Sequence, residues 1–262
     1  MKAYCCQFEI AWEDKPENFR KVRALLAAAR PEPGSLFVLQ EMFSTGFSMN
    51  VAGIAEEISP GAEEFVREIA TEHQLYVVAG IVRRTQERRG LNQAIVISPQ
   101  GEELTRYSKI HPFTLGGESA NYARGTRIEF FDWQGMKVAP FICYDLRFPE
   151  VFRSAVAGNG ERAEMFVVIA AWPNRREQHW VTLLQARAIE NQAYVVGVNQ
   201  TGKDPQFVYP GRSMVVDPHG KILVDAGAAV GIISAEVNPL EARNWRRDFP
   251  ALADMHWAGR AG

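Results

Sequence analysis

The sequence has 262 residues, of which 47% are hydrophobic and 23% charged, and its formal net charge is −2. These values are typical of a globular protein and give no electrostatic reason to expect nucleic acid or an anionic membrane as a partner. The apolar runs are shorter than the roughly 18 residues of a membrane-spanning helix, and no leader pattern opens the chain, so we expect no membrane association and a cytoplasmic location. Of the three cysteines, at least one must be a free thiol.

The first half of the chain alternates strand and helix patterns and then turns to strands alone. A strand over residues 3–10 precedes a helix that begins at Pro16, and a strand over 36–39 precedes a helix over 61–73. Turn-forming residues then separate three further predicted strands, which cover residues 76–82, 93–97 and 104–107.

The second half repeats this plan. Its predicted strands cover residues 138–142, 165–170, 194–198, 213–216, 222–224 and 232–237, and its predicted helices begin near Pro149 and cover 178–191. Each half would form a mixed sheet with helices on one face, so the two bare faces must be buried against each other. The fold class is therefore α/β, a four-layer α-β-β-α sandwich. Since no linker composition marks a boundary, residues 1–262 are predicted to be one domain.

Three reactive side chains follow predicted strands. Glu41 follows the strand over 36–39, Lys109 follows the strand over 104–107, and Cys143 follows the strand over 138–142. Taken singly, the cysteine could be a small buried residue and the two charges could be solvated loop residues. Strand ends in α/β sheets expose side chains and backbone N–H groups, so a shared sheet edge would bring a nucleophile, an acid and a cation together.

Three ordered motifs around these residues resemble the nitrilase superfamily of carbon–nitrogen hydrolases. They cover residues 39–43 (Leu-Gln-Glu-Met-Phe), 107–111 (Tyr-Ser-Lys-Ile-His) and 142–150 (Ile-Cys-Tyr-Asp-Leu-Arg-Phe-Pro-Glu), and the likeness continues through 171–173 and 184–192. The resemblance implies the nitrilase type of sandwich and a homodimer or higher homo-oligomer. Within the superfamily the sequence is most similar to omega-amidases, which hydrolyse the terminal amide of 2-oxoacid amides such as 2-oxoglutaramate.

Two further positions can be compared with the family. Gln40 stands where many relatives have proline, and because its side chain would point away from that of Glu41, we expect little effect on the chemistry. Glu118, in the loop after Lys109, matches a second active-site glutamate of many family members, although an exposed loop acid is the alternative.

The resemblance implies a role for each of these residues. Cys143 would attack the amide carbonyl, and Glu41 would take the thiol proton and later protonate the leaving amine. Lys109 would favour the thiolate and, with the backbone N–H of Tyr144, hold the oxyanion. Glu118 would position the substrate or a water molecule.

The sequence identifies the residues that contact the substrate less clearly. A small amide that ends in a carboxylate needs a cation and apolar walls around its methylene groups. The candidates are Phe43, Phe47, Phe113 and Trp172 for the walls, and Arg175 or Arg176 for the carboxylate. Each aromatic residue could equally belong to the core. We expect Asp145 and Arg147 to form ion pairs that hold the turn after the nucleophile.

No metal or other cofactor is expected. The five histidines show no ligand spacing, and no glycine-rich phosphate loop is present in the sequence. Another amidase, a carbamoyl hydrolase and a nitrilase remain open as alternatives, because the same three residues serve all of them. A non-catalytic dimerisation module is the alternative from a different class of protein.

Overall fold

The computed structural model describes residues 1–58, 61–157 and 162–255, which form two six-stranded sheets, a two-stranded ribbon and seven α-helices. The strands are β1 (Lys2–Gln7), β2 (Leu36–Val38), β3 (Tyr76–Arg84), β4 (Gly90–Ile97), β5 (Glu103–Ser108), β6 (Phe131–Trp133), β7 (Met136–Ile142), β8 (Met165–Ala170), β9 (Tyr194–Asn199), β10 (Thr201–Lys203), β11 (Val208–Pro210), β12 (Met214–Val216), β13 (Ile222–Asp225) and β14 (Gly231–Glu236). The helices are α1 (Lys15–Ala29), α2 (Val51–Ile54), α3 (Ala62–His73), α4 (Glu118–Asn121), α5 (Pro149–Ser154), α6 (Glu177–Asn191) and α7 (Pro239–Asp248).

The two sheets have the same pairing pattern. The first has the order β14-β1-β2-β3-β4-β5 and the second β6-β7-β8-β9-β12-β13, and in each the second, third and fourth strands are parallel while the outer pairings are antiparallel. The predicted repetition of the two halves is therefore present, with one correction. The last strand, β14, was predicted to complete the second half, but it pairs with β1 and closes the first sheet.

The side chains of the first sheet alternate between two apolar environments. In β1, Ala3 and Cys5 belong to the core between the sheets, whereas Tyr4 and Cys6 pack in the core beneath α1 and α3. This period of two is the geometry of a strand that is covered on both faces. The second sheet is covered on its outer face by α5 and α6, so the predicted four layers are confirmed.

The strand ends that matter for function meet at one edge of the sandwich. The turn after β2 carries Glu41, the residue after β5 is Lys109, and the residue after β7 is Cys143. Within the described part of the chain, no helix is long and apolar enough to cross a bilayer.

Candidate active site

Cys143 begins a 3₁₀ turn, Cys143–Arg147, directly after β7. Its φ is +47°, in the left-handed region that side-chain-bearing residues rarely adopt. Such a conformation costs on the order of 1–3 kcal/mol and persists where the surrounding structure enforces it, commonly at functional sites. The thiol is therefore placed by a strained strand-to-helix turn and not by the regular strand.

Asp145 holds this turn in place. Its carboxylate accepts hydrogen bonds from the backbone N–H of Ile142 at 3.1 Å, the hydroxyl of Tyr107 at 2.8 Å and the backbone N–H of His111 at 2.9 Å. The imidazole Nδ1 of His111 also lies 2.9 Å from it. Asp145 therefore holds the turn as expected, whereas the expectation for Arg147 is wrong, because its side chain turns toward a cavity.

Glu41 is placed by a close backbone contact between its turn and β3. The N–H of Gly80 donates to the carbonyl of Gln40 at 3.2 Å, and the N–H of Phe43 donates to the carbonyl of Gly80 at 3.1 Å. A Cβ atom at Gly80 would lie 2.6 Å from Glu41 Cα and 2.5 Å from the backbone nitrogen of Met42. Only glycine permits this approach, since the obstructing atoms are backbone atoms that cannot swing away.

Lys109 lies between two buried glutamates. Its Nζ is 2.8 Å from Glu41 Oε1 and 2.8 Å from Glu118 Oε2, and the three side chains are at most 1% exposed. The second oxygen of Glu41 accepts from the backbone N–H of Ala171 at 2.8 Å, and Glu118 also accepts from the backbone N–H of Phe113 at 2.6 Å. The structure thus brings Glu41 together with Lys109, which lies 68 positions later in the chain.

Electrostatics keep the thiol protonated and the amine charged. Burial raises the pKa of the Cys143 thiol well above its ordinary value, and Glu41 raises it further by its charge and by a hydrogen bond, while Lys109 opposes this. Burial also disfavours the charge of Lys109, but Glu118 and Glu41 outweigh it and raise the pKa of its ammonium well above the ordinary value. As expected, Lys109 lowers the pKa of the thiol, but burial and Glu41 together raise that pKa by more.

A cavity of about 330 Å³, including its open mouth, lies beside Cys143. Of the predicted contacts, Phe47, Phe113, Trp172 and Arg176 line the cavity, as does Tyr144. The thiol therefore borders a small cavity that has aromatic walls and a cation in its lining.

Two predicted substrate contacts lie elsewhere. Phe43 packs in the outer core, with its ring centroid 6.1 Å from that of Phe19 and 6.0 Å from that of Phe65. The side chain of Phe43 does not continue the alternation of β2, because the chain turns at Met42, whose φ is +46°. Arg175 is exposed and lines a neighbouring outer cavity, not the one beside Cys143.

Arg147 is a cavity residue that the sequence did not suggest. Its guanidinium lies 4.8 Å above the ring of Trp172, and that of Arg176 lies 5.3 Å above the ring of Phe113. Burial, followed by the charge of Arg176, lowers the pKa of Arg147. In the described ranges neither guanidinium has a carboxylate partner, so two cations converge on the cavity without a resident anion. The only sequence feature that could have suggested Arg147 as a cavity residue is its position four residues after Cys143.

Comparisons with known proteins agree with this geometry. The sequence model of the carbon-nitrogen hydrolase family matches residues 2–247. The chain is 31% identical to the 2-oxoglutaramate amidase of Bacillus subtilis over 96% of both proteins, and 34% identical to the omega-amidase YafV of Yersinia enterocolitica over 97% of this chain and 96% of that one. Among solved structures, a CN-hydrolase superfamily protein of Xanthomonas campestris matches with a TM-score of 0.90 and 29% identity, covering 100% of this chain and 99% of the other.

The chain belongs to the carbon–nitrogen hydrolase family, and its sandwich is of the nitrilase type. It is accordingly a hydrolase that acts on carbon–nitrogen bonds other than peptide bonds.

Proposed function

We propose that this protein hydrolyses the terminal carboxamide of a small 2-oxoacid amide, such as 2-oxoglutaramate, to the carboxylate and ammonia through a thioester on Cys143. One observation carries the proposal: a lysine ammonium is held between two buried glutamates, next to a thiol that borders a small cavity. The names of the relatives at 31% and 34% identity support the choice of substrate class.

The first half of the reaction forms the thioester. The Cys143 sulfur attacks the amide carbon while its proton passes to Glu41, which the raised thiol pKa makes necessary. The negative charge that develops on the carbonyl oxygen is held by the Lys109 ammonium and the backbone N–H of Tyr144. When the intermediate collapses, the carbon–nitrogen bond breaks and Glu41 returns the proton to the departing ammonia.

The second half of the reaction releases the acid. Water attacks the thioester carbon and gives a proton to Glu41, and the same donors hold the second oxyanion. The carbon–sulfur bond then breaks, the thiol regains its proton, and the carboxylate leaves. Glu118 keeps Lys109 charged and in place through the 2.8 Å contact between Oε2 and Nζ, and it positions the incoming water.

Arg147 and Arg176 supply the recognition of the substrate carboxylate. Both line the cavity, and burial together with the charge of Arg176 lowers the pKa of Arg147. An anion that binds between the two guanidinium groups relieves their repulsion. Phe47, Phe113 and Trp172 form apolar walls for the short chain of methylene groups.

The direct test is Cys143→Ala. This variant should fold normally and lose turnover, and acid quench of the wild-type protein during turnover should leave an acyl group on the Cys143 peptide, located by mass spectrometry. Full activity of the variant would refute the proposed nucleophile.

A substrate panel tests the substrate class. Ammonia release should be fastest from 2-oxoglutaramate when it is compared with glutamine, an N-carbamoyl amino acid and an aliphatic nitrile. A preference for the carbamoyl compound or the nitrile would replace the omega-amidase proposal with one of those two activities.

We also propose one domain over residues 1–262, a homodimer or larger homo-oligomer, and a cytoplasmic location. The shared core of the two sheets supports the single domain, and exposed Ile189, Leu240 and Phe249 on the second-sheet side offer apolar surface for association. All three cysteines are free thiols, as a reducing compartment favours. Light scattering after size-exclusion chromatography tests the assembly, and cell fractionation tests the location.

A further inference from the structure

Asn92 donates hydrogen bonds to both glutamates of the site, Glu41 and Glu118. It is the third residue of β4, its exposure is 2%, and its Nδ2 lies 2.7 Å from Glu41 Oε1 and 2.8 Å from Glu118 Oε1. The alternation of β4 places Asn92 on the same face as Ala94 and Val96, which belong to the core between the sheets.

The two acceptors fix the orientation of this amide. A side-chain amide has two N–H donors, and each is used on one carboxylate, since the carbonyl oxygen could only repel both. These are hydrogen bonds to groups that can carry charge, which are stronger than neutral ones. Asn92 Oδ1, in contrast, is buried and has no partner in the described part of the chain.

That unpartnered oxygen argues against a role in packing alone. A buried acceptor without a hydrogen bond costs on the order of 1–3 kcal/mol, and an apolar residue of similar size would avoid this cost. The arrangement stabilises the two acids at the expense of the amide oxygen, so its benefit lies in the acids.

The charge of the cluster explains why the donor is neutral. Glu41 and Glu118 are two acids for one ammonium, beside a thiol whose ionisation both acids disfavour. A third acid would suppress the thiolate further, whereas a second lysine would compete with Lys109 for the carboxylates. An amide supplies two donors without changing the net charge.

We infer that Asn92 is a positioning residue of the hydrolytic site, which fixes the spacing of Glu41 and Glu118 around Lys109 and keeps Glu41 directed at the Cys143 thiol. The inference rests on the proposed function in one respect, the role of Glu41 as the base. Misplacement of a reacting group by about 1 Å can cost about 100-fold in rate, which sets the scale of the expected effect.

The test replaces the amide by an acid of the same shape. Asn92→Asp should lower kcat for 2-oxoglutaramate about 100-fold at neutral pH with KM changed less than about threefold, because substrate contacts remain while the base is displaced. The added negative charge should also shift the pH dependence of Cys143 alkylation by iodoacetamide to higher pH.

Gln93→Glu is the matched control. The neighbouring Gln93 points to the opposite face of β4, where it contacts Ser108 and Arg106, so the same amide-to-acid change should leave kcat and the alkylation profile unchanged. Wild-type kcat and an unshifted alkylation profile in Asn92→Asp would overturn the inference, and so would a loss of thermal stability with both of these unchanged.

A second variant covers the case in which aspartate prevents folding. Asn92→Leu keeps the number of side-chain heavy atoms and removes both donors together with the unpartnered Oδ1, while Glu118 Oε1 loses its partner. Lys109 and the backbone N–H of Phe113 still hold the other oxygen of Glu118, so the variant should fold and still lose kcat by at least about tenfold. Activity within about threefold of wild type in this variant would overturn the inference. Alkylation needs no amide substrate, so a failure of the substrate proposal leaves that measurement valid.

Discussion

Two buried lysine–glutamate clusters in this protein are built differently. Lys15 pairs with Glu56, the two side chains being 7% and 8% exposed, and the second oxygen of Glu56 accepts from the backbone N–H groups of Ala62 and Glu63 at 2.9 and 3.1 Å. That carboxylate caps the start of α3, where the helix dipole favours negative charge. Lys109 instead faces two glutamates and a thiol.

The difference separates a structural pair from the proposed reactive site. Among the described residues, the first cluster joins one cation to one anion, and the acid's second oxygen accepts from a helix end. In the second cluster two buried acids face one cation, and protonation of one group therefore depends on the others. Burial alone does not mark a functional site, but a buried cluster with unbalanced charge and a nucleophile does.

The largest expected effect is that of Lys109→Met. Loss of the ammonium removes an oxyanion donor, which typically costs 100- to 1,000-fold in kcat, and leaves two acids buried without a cation. We expect kcat to fall by about 1,000-fold, measured as ammonia release at saturating substrate. A variant that keeps a tenth of the wild-type activity would show that Lys109 does not stabilise the oxyanion.

Lys15→Met should affect stability instead of rate. Breaking a buried pair typically costs about 3–5 kcal/mol, and we expect about 3 kcal/mol here because Glu56 keeps its two backbone donors. Urea unfolding measures the loss, while kcat of the folded protein should stay within about twofold of wild type. A large change in kcat would abolish the distinction between the two clusters.

Gly80→Ala tests the placement of Glu41 by the backbone. The new Cβ must push the turn that carries Glu41, so we expect kcat to fall by about 100-fold. Gly53→Ala is the control, because the atoms nearest to its new Cβ belong to the side chain of Asn50, which can move aside. Equal effects of the two substitutions would contradict this role of Gly80.

The smallest effect concerns the ionisation of Cys143. Because Glu41 raises the pKa of the thiol and Lys109 lowers it, Glu41→Gln should shift the titration midpoint to lower pH and Lys109→Met to higher pH. Thiolate absorbance in the ultraviolet, with Cys143→Ala as the blank, measures both. Shifts of the same sign in the two variants would refute the electrostatic description of the site.

Much of the fold could be predicted because it is encoded locally. The alternating apolar residues of β4 and β7, and the turns between strands, specify elements without reference to distant partners. The pairing of β14 with β1 is different, since its residues are more than 200 positions from their partners and nothing local specifies that choice. The short strands β6, β10 and β11 were missed because, unlike the equally short β2 and β12, they are not continuous apolar runs.

The residues of the site likewise divide into those that the local sequence predicts and those that only the fold reveals. Glu41, Lys109 and Cys143 were predicted from motifs, whose residue types and order can be read from sequence, and Glu118 was predicted from its match to a second glutamate of the family. Asn92 was missed because a polar residue at a strand start is ordinary, and only the fold shows which acids it meets. The directions of Phe43 and Arg147 depend on the turns at Met42 and Cys143, where left-handed backbone conformations break the local pattern.

The position of β14 also constrains how the protein is made. Until the ribosome has released residues 231–236, one side of β1 has no partner, and its backbone N–H and C=O groups remain open to other chains. Contacts between residues more than 200 positions apart are also slow to form. The nascent protein therefore completes its first sheet only after residues 231–236 have emerged, and chaperone shielding of that edge during synthesis would favour its yield.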